Sequence, residues 1–210
     1  MNKLFDFLKK GPILFVSCHP DDIELGCGGI INQLKNQTKI FVVTLSKNKK
    51  NPKHKNLVKE HLQSLRSLGI DSNNIFLADF TTREFSYSRQ KILDYLWNLN
   101  KKIQPTCVFI PPYDLHQDHQ VCNDECQRVF RTQSIIQYHL SRSTNFLAPN
   151  MFVKLHKQDL EKKIKAILKY KTHKDKYYFK KSTITALCQT AGVKLEIPLS
   201  ESFSVISIVL

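Results

Sequence analysis

The sequence lacks an apolar run long enough to cross a membrane. A spanning helix needs about 20 consecutive, mostly apolar residues, whereas the hydrophobic residues here, 41% of the 210, fall into short runs. The segment 1–10 is too short and too interrupted by charge for the apolar region of a signal peptide, and a short amphipathic helix is expected there. We therefore expect no stable membrane insertion and a cytoplasmic location.

The cysteines lack the arrangement of a structural zinc site. Six cysteines could form three disulfides, but in the absence of an export signal we expect free thiols. Cys122 and Cys126 lie four residues apart on a predicted helix and share one face. Because no second pair lies nearby in the sequence, a closed four-ligand site is not predicted.

Glycine is scarce, and its pattern does not support a dinucleotide site. Gly26, Gly28 and Gly29 follow the first predicted strand, where a phosphate-binding loop would lie. The six-position glycine pattern of such loops is incomplete here. The simpler interpretation is that these glycines allow a helix to pack closely on its neighbours.

Acidic residues are few, with 18 Asp and Glu against 32 Lys and Arg, which gives a formal net charge of +14. Such an excess can indicate an acidic partner, namely nucleic acid, an anionic membrane or a phosphorylated substrate. The spread of lysines along the whole chain favours a charged, solvated surface instead. The densest basic stretch, residues 47–55, follows a predicted strand and could border a ligand crevice. Since no reading helix or RNA-binding aromatic motif is recognisable, we expect no nucleic-acid partner.

No repeat, low-complexity tract or linker divides the chain, so residues 1–210 are predicted to form one domain. Apolar runs alternate with segments of helical periodicity. Strands are predicted at 13–17, 39–45, 74–78, 107–111, 150–155 and 203–210, and helices at 30–36, 56–68, 89–102, 121–133 and 158–170. In the helix at 89–102, the predicted buried side includes Ile92, Leu96 and Trp97. This alternation predicts an α/β fold, a doubly wound three-layer sandwich with a mostly parallel central sheet.

Two polar clusters carry the functional signal. Residues 17–22 (SCHPDD) directly follow the first strand, and residues 116–119 (HQDH) follow the strand at 107–111. In open α/β sheets, ligands bind beyond the carboxyl ends of the strands, where the strand order reverses. We therefore expect the two clusters to meet in one crevice.

The residue types in these clusters predict a catalytic metal site. His19, Asp22 and His119 together supply two imidazoles and one carboxylate, a set that leaves positions open for water and substrate. Pro20 helps to fix the turn that brings His19 and Asp22 together. Zinc in such a site gives a bound water that ionises near pH ~7.

The remaining polar residues can supply acid–base chemistry. Asp21 diverges from Asp22 and is free to take a proton from the water that the metal binds. His116 lies three residues before His119, so it could stabilise the oxyanion of a tetrahedral intermediate and then protonate the leaving amine. Asp118 or Asp114 could orient that imidazole.

These motifs resemble those of a known family. Residues 19–29 (HPDDIELGCGG) are similar to the first signature of the LmbE-like (PIG-L) N-acetylglucosamine deacetylases, and residues 114–119 (DLHQDH) to the second. Weaker similarities are Glu60 with Leu68 and Gly69, the helix ending at Tyr170, and residues 201–203 before the last strand.

The resemblance implies a Rossmann-like zinc hydrolase that removes an N-acyl group, usually acetyl, from an amino sugar or its conjugate. It implies zinc on His19, Asp22 and His119, with Asp21 as general base. It also implies His116 as electrostatic stabiliser and acid, tuned by Asp118. The expected partner is an N-acetylated sugar conjugate. The positive charge of the chain favours a phosphorylated one. Relatives often form trimers or hexamers, so self-association is expected too.

Three departures from the family pattern affect substrate identity rather than the metal. Ile23 replaces a Glu, and Leu57 stands where an Arg often contacts substrate. Thr172 and His173 replace a Ser–Gln pair. His173 either reaches the site or lies on the surface.

Two other functions are compatible with the same residues. The His/Asp/His set also matches the facial triad of non-haem iron enzymes, so Fe²⁺ is an alternative to Zn²⁺. That triad normally lies on an all-β barrel, which the predicted alternation of strands and helices does not favour. The basic composition leaves a nucleic-acid or anionic-surface binding protein as the non-enzymatic alternative.

Overall fold

The computed structural model describes residues 3–140 and 148–209. Its strands are β1 (Ile13–Ser17), β2 (Ile40–Thr44), β3 (Ile75–Leu77), β4 (Cys107–Ile110), β5 (Ser134–Tyr138), β6 (Met151–Lys154) and β7 (Ser200–Ser207). Its α-helices are α1 (Lys3–Leu8), α2 (Asp22–Leu34), α3 (Leu57–Ser67), α4 (Arg89–Ile103), α5 (Gln117–Val129), α6 (Lys157–Ile167) and α7 (Lys181–Val193).

The strands form one sheet in the order β3-β2-β1-β4-β5-β7-β6. Strands β1 to β5 pair in parallel, while β7 is antiparallel to both β5 and β6. The chain moves outward from β1 through β2 to β3 and then returns to β4 on the other side of β1. The strand order therefore reverses between β1 and β4, and a crevice is expected at their carboxyl ends.

The core lies on both faces of this sheet. Ile13 and Phe15 belong to a buried cluster with residues of α2, α3 and α6, whereas Leu14 and Val16 pack with residues of α4 and α5. This alternation follows from the period of two along a strand. It confirms the predicted three-layer α/β sandwich with a mostly parallel sheet.

The two helices that follow the polar clusters begin earlier than predicted. Helix α2 starts at Asp22 rather than at residue 30, and α5 starts at Gln117 rather than at residue 121. The prediction relied on apolar periodicity, but the first turns are polar, and Asp22 and Asp118 interact favourably with the helix N-termini. As a result, Asp22 and His119 lie on first helical turns.

The glycines of α2 serve close packing, as expected. A Cβ atom on Gly26 would lie 2.5 Å from the Tyr138 ring, and one on Gly29 would lie 2.6 Å from Leu155. Helix α2 can therefore approach β5 and the segment that follows β6 only because these positions carry no side chain.

Two elements were not predicted from the sequence. Strand β5 is a short apolar run that periodicity alone does not distinguish from a helix segment. Helix α7 contains several β-branched residues, which favour strands over helices. The prediction for Trp97 was wrong, since its side chain is 43% exposed; it lies beside the Ile92–Leu96 face of α4 rather than on it.

Among residues 3–140 and 148–209, none of the helices combines the length and the apolar character that crossing a bilayer requires. All six cysteines are buried free thiols, as expected.

Candidate active site

The first polar cluster forms a tight turn between β1 and α2. The backbone N–H groups of Cys18 and His19 donate to Oδ2 of Asp22, at 3.1 and 2.8 Å. Asp21 lies directly before α2, and its backbone adopts a φ of 106°, a value that residues with a side chain rarely adopt. Such strain persists where the surrounding structure over-determines it, typically at functional sites.

The second cluster fixes His119 on the first turn of α5. Nδ1 of His119 lies 2.8 Å from Oδ2 of Asp114, which is fully buried. Oδ1 of Asp114 also accepts a hydrogen bond from the backbone N–H of His116, at 2.8 Å. The His119 side chain is therefore held by a carboxylate that is itself fixed.

His19 is held in the same way from the other side. Its Nε2 atom lies 2.9 Å from Oδ2 of the fully buried Asp118, and that oxygen also accepts from the backbone N–H of Arg83 at 2.7 Å. The remaining ring nitrogens, Nδ1 of His19 and Nε2 of His119, each lie 3.7 Å from Oδ2 of Asp22. The structure thus brings His19, Asp22 and His119 together.

This donor set fits a divalent metal. Both imidazole nitrogens lie 3.7 Å from the same Asp22 oxygen, and two imidazoles with one carboxylate are a donor set that zinc accepts. Nε2 of His119 is buried and has no hydrogen-bond partner among the described residues. Metal-binding imidazoles usually donate their other N–H to a carboxylate, and both imidazoles here have such a carboxylate.

Sequence reasoning missed one further donor, Cys18. The Sγ atom of Cys18 lies within 4.8 Å of donor atoms of both Asp22 and His119. An adjacent group with the same spacing consists of His19, His116 and Asp118. The sequence signal for Cys18 was its position directly before His19. The thiol donates to the carbonyl oxygen of Asp118 at 3.4 Å, and burial raises its pKa well above the usual value.

The pKa values in the site reflect burial and close charges. Burial raises the pKa of Asp22 although the two neighbouring imidazoles oppose this. Burial disfavours the charged form of His119, but Asp22 and Asp114 outweigh it and raise its pKa to about 9. Burial, together with His19 and His119, lowers the pKa of His116 to about 4. Such clustered shifts beside a cavity are typical of functional sites.

His116 caps the N-terminus of α5 beside the two other imidazoles. Its ring stacks on that of His119 with centroids 4.7 Å apart, and its Nδ1 accepts from the backbone N–H of Asp118 at 3.1 Å. The neutral ring therefore carries its proton on Nε2. Of the two carboxylates expected to orient this ring, that of Asp118 bonds His19 and that of Asp114 bonds His119. The contact of Asp118 with the His116 ring is made by its backbone N–H.

Asp21 borders the same cavity and has an unexpected neighbour. Asp21 is only 8% exposed, and its Oδ2 atom lies 3.2 Å from Nδ1 of His173. The sequence had left open whether His173 reaches the site. The structure buries it there, while Leu57 lies in the core and away from the cavity.

The cavity has a volume of about 1490 Å³ and is lined by residues of both clusters, among them His19, Asp21, Asp22, His116, His119 and His173. The basic stretch contributes Lys50 and His54 to its rim, as expected for a loop beside the crevice. Arg83 also lines the cavity, and the Lys50 ammonium pairs with Glu84.

Solved structures share this fold. A conserved protein from Thermus thermophilus is 22% identical with a TM-score of 0.74, over 94% of this chain and 95% of that one. The N,N'-diacetylchitobiose deacetylase from Pyrococcus horikoshii is 21% identical with a TM-score of 0.77, over 97% and 89%. The 4-carboxy-2-hydroxymuconate hydratase from Pseudomonas putida KT2440 is 15% identical with a TM-score of 0.76, over 95% and 98%.

Comparison with curated protein sequences finds no match. The sequence model of one family, described as PIG-L, GlcNAc-PI de-N-acetylase, matches residues 14–130. This segment includes both polar clusters and every residue that fixes the imidazoles of His19 and His119. Because it covers more than half of the 210 residues, the chain belongs to the PIG-L (LmbE-like) family.

Proposed function

We propose that this protein is a metal-dependent N-deacetylase that removes the acetyl group from an amino-sugar conjugate. One observation carries the proposal. Two imidazoles, each fixed by a buried carboxylate, present their remaining nitrogens to Asp22 in a cavity that Asp21 and His116 also line. The family description and the deacetylase from Pyrococcus horikoshii support this reaction.

The metal proposed for this site is Zn²⁺, with Fe²⁺ as the alternative. His19, Asp22 and His119 would hold it, and when bound it supplies Lewis acidity to the cavity. The carboxylates of Asp118 and Asp114 keep the two imidazoles in the orientation that binding requires.

The other side chains divide the acid–base work between them. Asp21 takes the proton of the attacking water as general base. The Nε2–H group of His116 donates a hydrogen bond to the amide oxygen as negative charge develops there. Because the neutral ring holds a single proton, the leaving amine takes the proton that Asp21 removed from the water. Asp118 acts indirectly, since its carboxylate holds His19 and its backbone N–H fixes the His116 ring.

The size and charge of the cavity support a conjugate rather than a free sugar. Small-molecule sites usually measure about 300–1000 Å³, and this cavity reaches about 1490 Å³. Arg83 in its lining favours a phosphorylated substrate, whereas the charge of Lys50 is balanced by Glu84. A cytoplasmic location and self-association remain predictions from the sequence.

The related hydratase indicates that this fold also supports another reaction.

The test is therefore a direct assay of the purified, full-length protein on a panel of N-acetylated sugar conjugates, both phosphorylated and neutral. We expect release of free amine and acetate in equal amounts, loss of release with a chelator, and recovery with Zn²⁺. The Asp21→Asn variant is the control, and it should bind metal without releasing amine. If the metal-loaded wild type releases no amine from any conjugate, the proposal is wrong.

A further inference from the structure

His173 is a buried histidine that has no role in the proposed mechanism. It lies in the turn after α6, is 3% exposed, and has its Nδ1 atom 3.2 Å from Oδ2 of Asp21. Neither ring nitrogen forms an aligned hydrogen bond with any described residue. Buried polar groups are normally hydrogen-bonded, because an unmade bond costs free energy. The Asp21 carboxylate is close enough to supply that bond.

The orientation of the ring is set by packing rather than by Asp21. Tyr170 stacks on one face with an interplanar angle of 12° and centroids 6.0 Å apart, and Phe179 meets the ring edge-on at 5.1 Å. The Tyr170 hydroxyl is fixed in turn by Glu24 and His61, both at 2.6 Å. Because Glu24 belongs to α2, this chain of contacts ties the ring to the same helix that Asp21 precedes.

The backbone around His173 is fixed as well. The N–H group of Thr172 donates to both carboxylate oxygens of Glu60, each at 3.1 Å. Glu60 is buried on α3. The turn is therefore anchored to the body of the protein, and His173 cannot withdraw from Asp21 without breaking these bonds.

We propose that His173 is a positioning residue for Asp21, an inference that rests on the proposed function. Its Nδ1–H donates to Oδ2 of Asp21 and so leaves Oδ1 to receive the proton. In that step an O–H bond of the attacking water breaks and an O–H bond forms on Asp21. The water oxygen bonds to the acetyl carbon while the carbonyl π bond breaks and its electron pair moves to the amide oxygen. The contact of 3.2 Å is not aligned for a hydrogen bond here, as is common for catalytic contacts in the absence of substrate.

The first test is a double-mutant cycle on the metal-loaded enzyme. His173→Leu removes the donor but keeps an apolar side chain, and we expect kcat to fall about tenfold, with KM and zinc content unchanged. In an Asp21→Asn background the same change should cost less than about twofold, since a residue acting only through Asp21 has nothing left to position. His173→Gln keeps an N–H donor and should retain most of the wild-type kcat. An equal loss in both backgrounds would overturn the inference.

The second test does not require activity, so it separates this inference from the proposed function. In ¹⁵N-histidine spectra of the zinc-loaded protein, we expect the His173 proton on Nδ1 and a shift of that nitrogen in Asp21→Asn. A proton on Nε2 that is insensitive to Asp21→Asn would contradict the pairing even if the wild type is a deacetylase. A wild type without deacetylase activity but with the expected spectra would leave the pair intact and refute only the reaction.

Discussion

The backbone of Asp21, with φ 106° and ψ −28°, lies outside the regions that residues with a Cβ atom usually occupy. Strain of this kind costs about 1–3 kcal/mol. The conformation persists because the Asp21 carbonyl accepts from the Leu25 N–H at 3.0 Å and because Asp22 bonds the backbone of Cys18 and His19. The turn is thus strained at the residue that we propose as general base.

This strain predicts opposite effects of one substitution on stability and activity. Asp21→Gly should raise the free energy of unfolding by about 1–2 kcal/mol, because glycine adopts positive φ without a steric penalty. The same variant should lose amine release by about 100-fold or more, because the general base is gone. Thermal denaturation and the amine assay measure the two effects.

Asp21→Asn is the matched control, since it removes the charge but keeps the Cβ atom. It should lose activity similarly without the gain in stability. Equal melting temperatures for the two variants would show that the backbone at this position is not strained.

Most of the candidate site could be predicted from residue types and spacing. His19, Asp22, His119, Asp21 and His116 meet at one cavity because both polar clusters follow strands that lie side by side. What could not be predicted is which carboxylate holds which imidazole. That depends on side-chain directions in the first turn of α5, which sequence spacing does not determine when the start of the helix is misplaced.

At the scale of whole elements, the helix starts that were misplaced are those of α2 and α5, whereas the starts of α3, α4 and α6 were predicted to within one residue. Strands β1 and β4 are continuous apolar runs buried on both faces, a pattern that residue type alone reveals. Helices α2 and α5 begin with polar residues that carry the site, so the periodic apolar signal starts only after their first turns. The functional residues thus interrupt the apolar periodicity in the first turns of α2 and α5.

The close approach of α2 to the sheet predicts a coupling between packing and metal binding. In Gly26→Ala, the added Cβ atom would lie 2.5 Å from the Tyr138 ring. Overpacking of this kind costs about 1–3 kcal/mol. Because α2 carries Asp22 on its first turn, we expect a lower melting temperature together with weaker zinc binding, measured by competition with a chromogenic chelator.

Gly192→Ala is the comparison variant for this prediction. A Cβ atom there would lie 2.2 Å from the Ile197 carbonyl oxygen, at the end of α7 and on an element that carries none of the proposed ligands. It should destabilise the protein without weakening zinc binding of the folded state. If Gly26→Ala lowers stability alone, the position of α2 does not control the metal site.

At the scale of the whole molecule, the proposed metal joins structural layers on opposite faces of the sheet. Asp22 begins α2, which packs in one core cluster, and His119 lies on α5, which packs in the other. His19, in the turn that leads into α2, contacts Asp118 on the first turn of α5 directly, at 2.9 Å. An ion held by His19, Asp22 and His119 would therefore restrain both layers at the point where the strand order reverses.

Zinc should accordingly stabilise the whole fold and not only the cavity. A ligand that binds the folded state alone stabilises it by about 2.7 kcal/mol at 100 times its dissociation constant. For a chain of this size, that corresponds to an increase in melting temperature of about 5–10 °C. Thermal denaturation of chelator-treated protein across a zinc titration measures this increase. His119→Ala removes one zinc ligand but keeps the contact between His19 and Asp118. Because zinc can then no longer bind at this site, the melting temperature of the variant should not depend on zinc. An equal increase in that variant would mean that zinc binds elsewhere, and the three-residue site would then have to be abandoned.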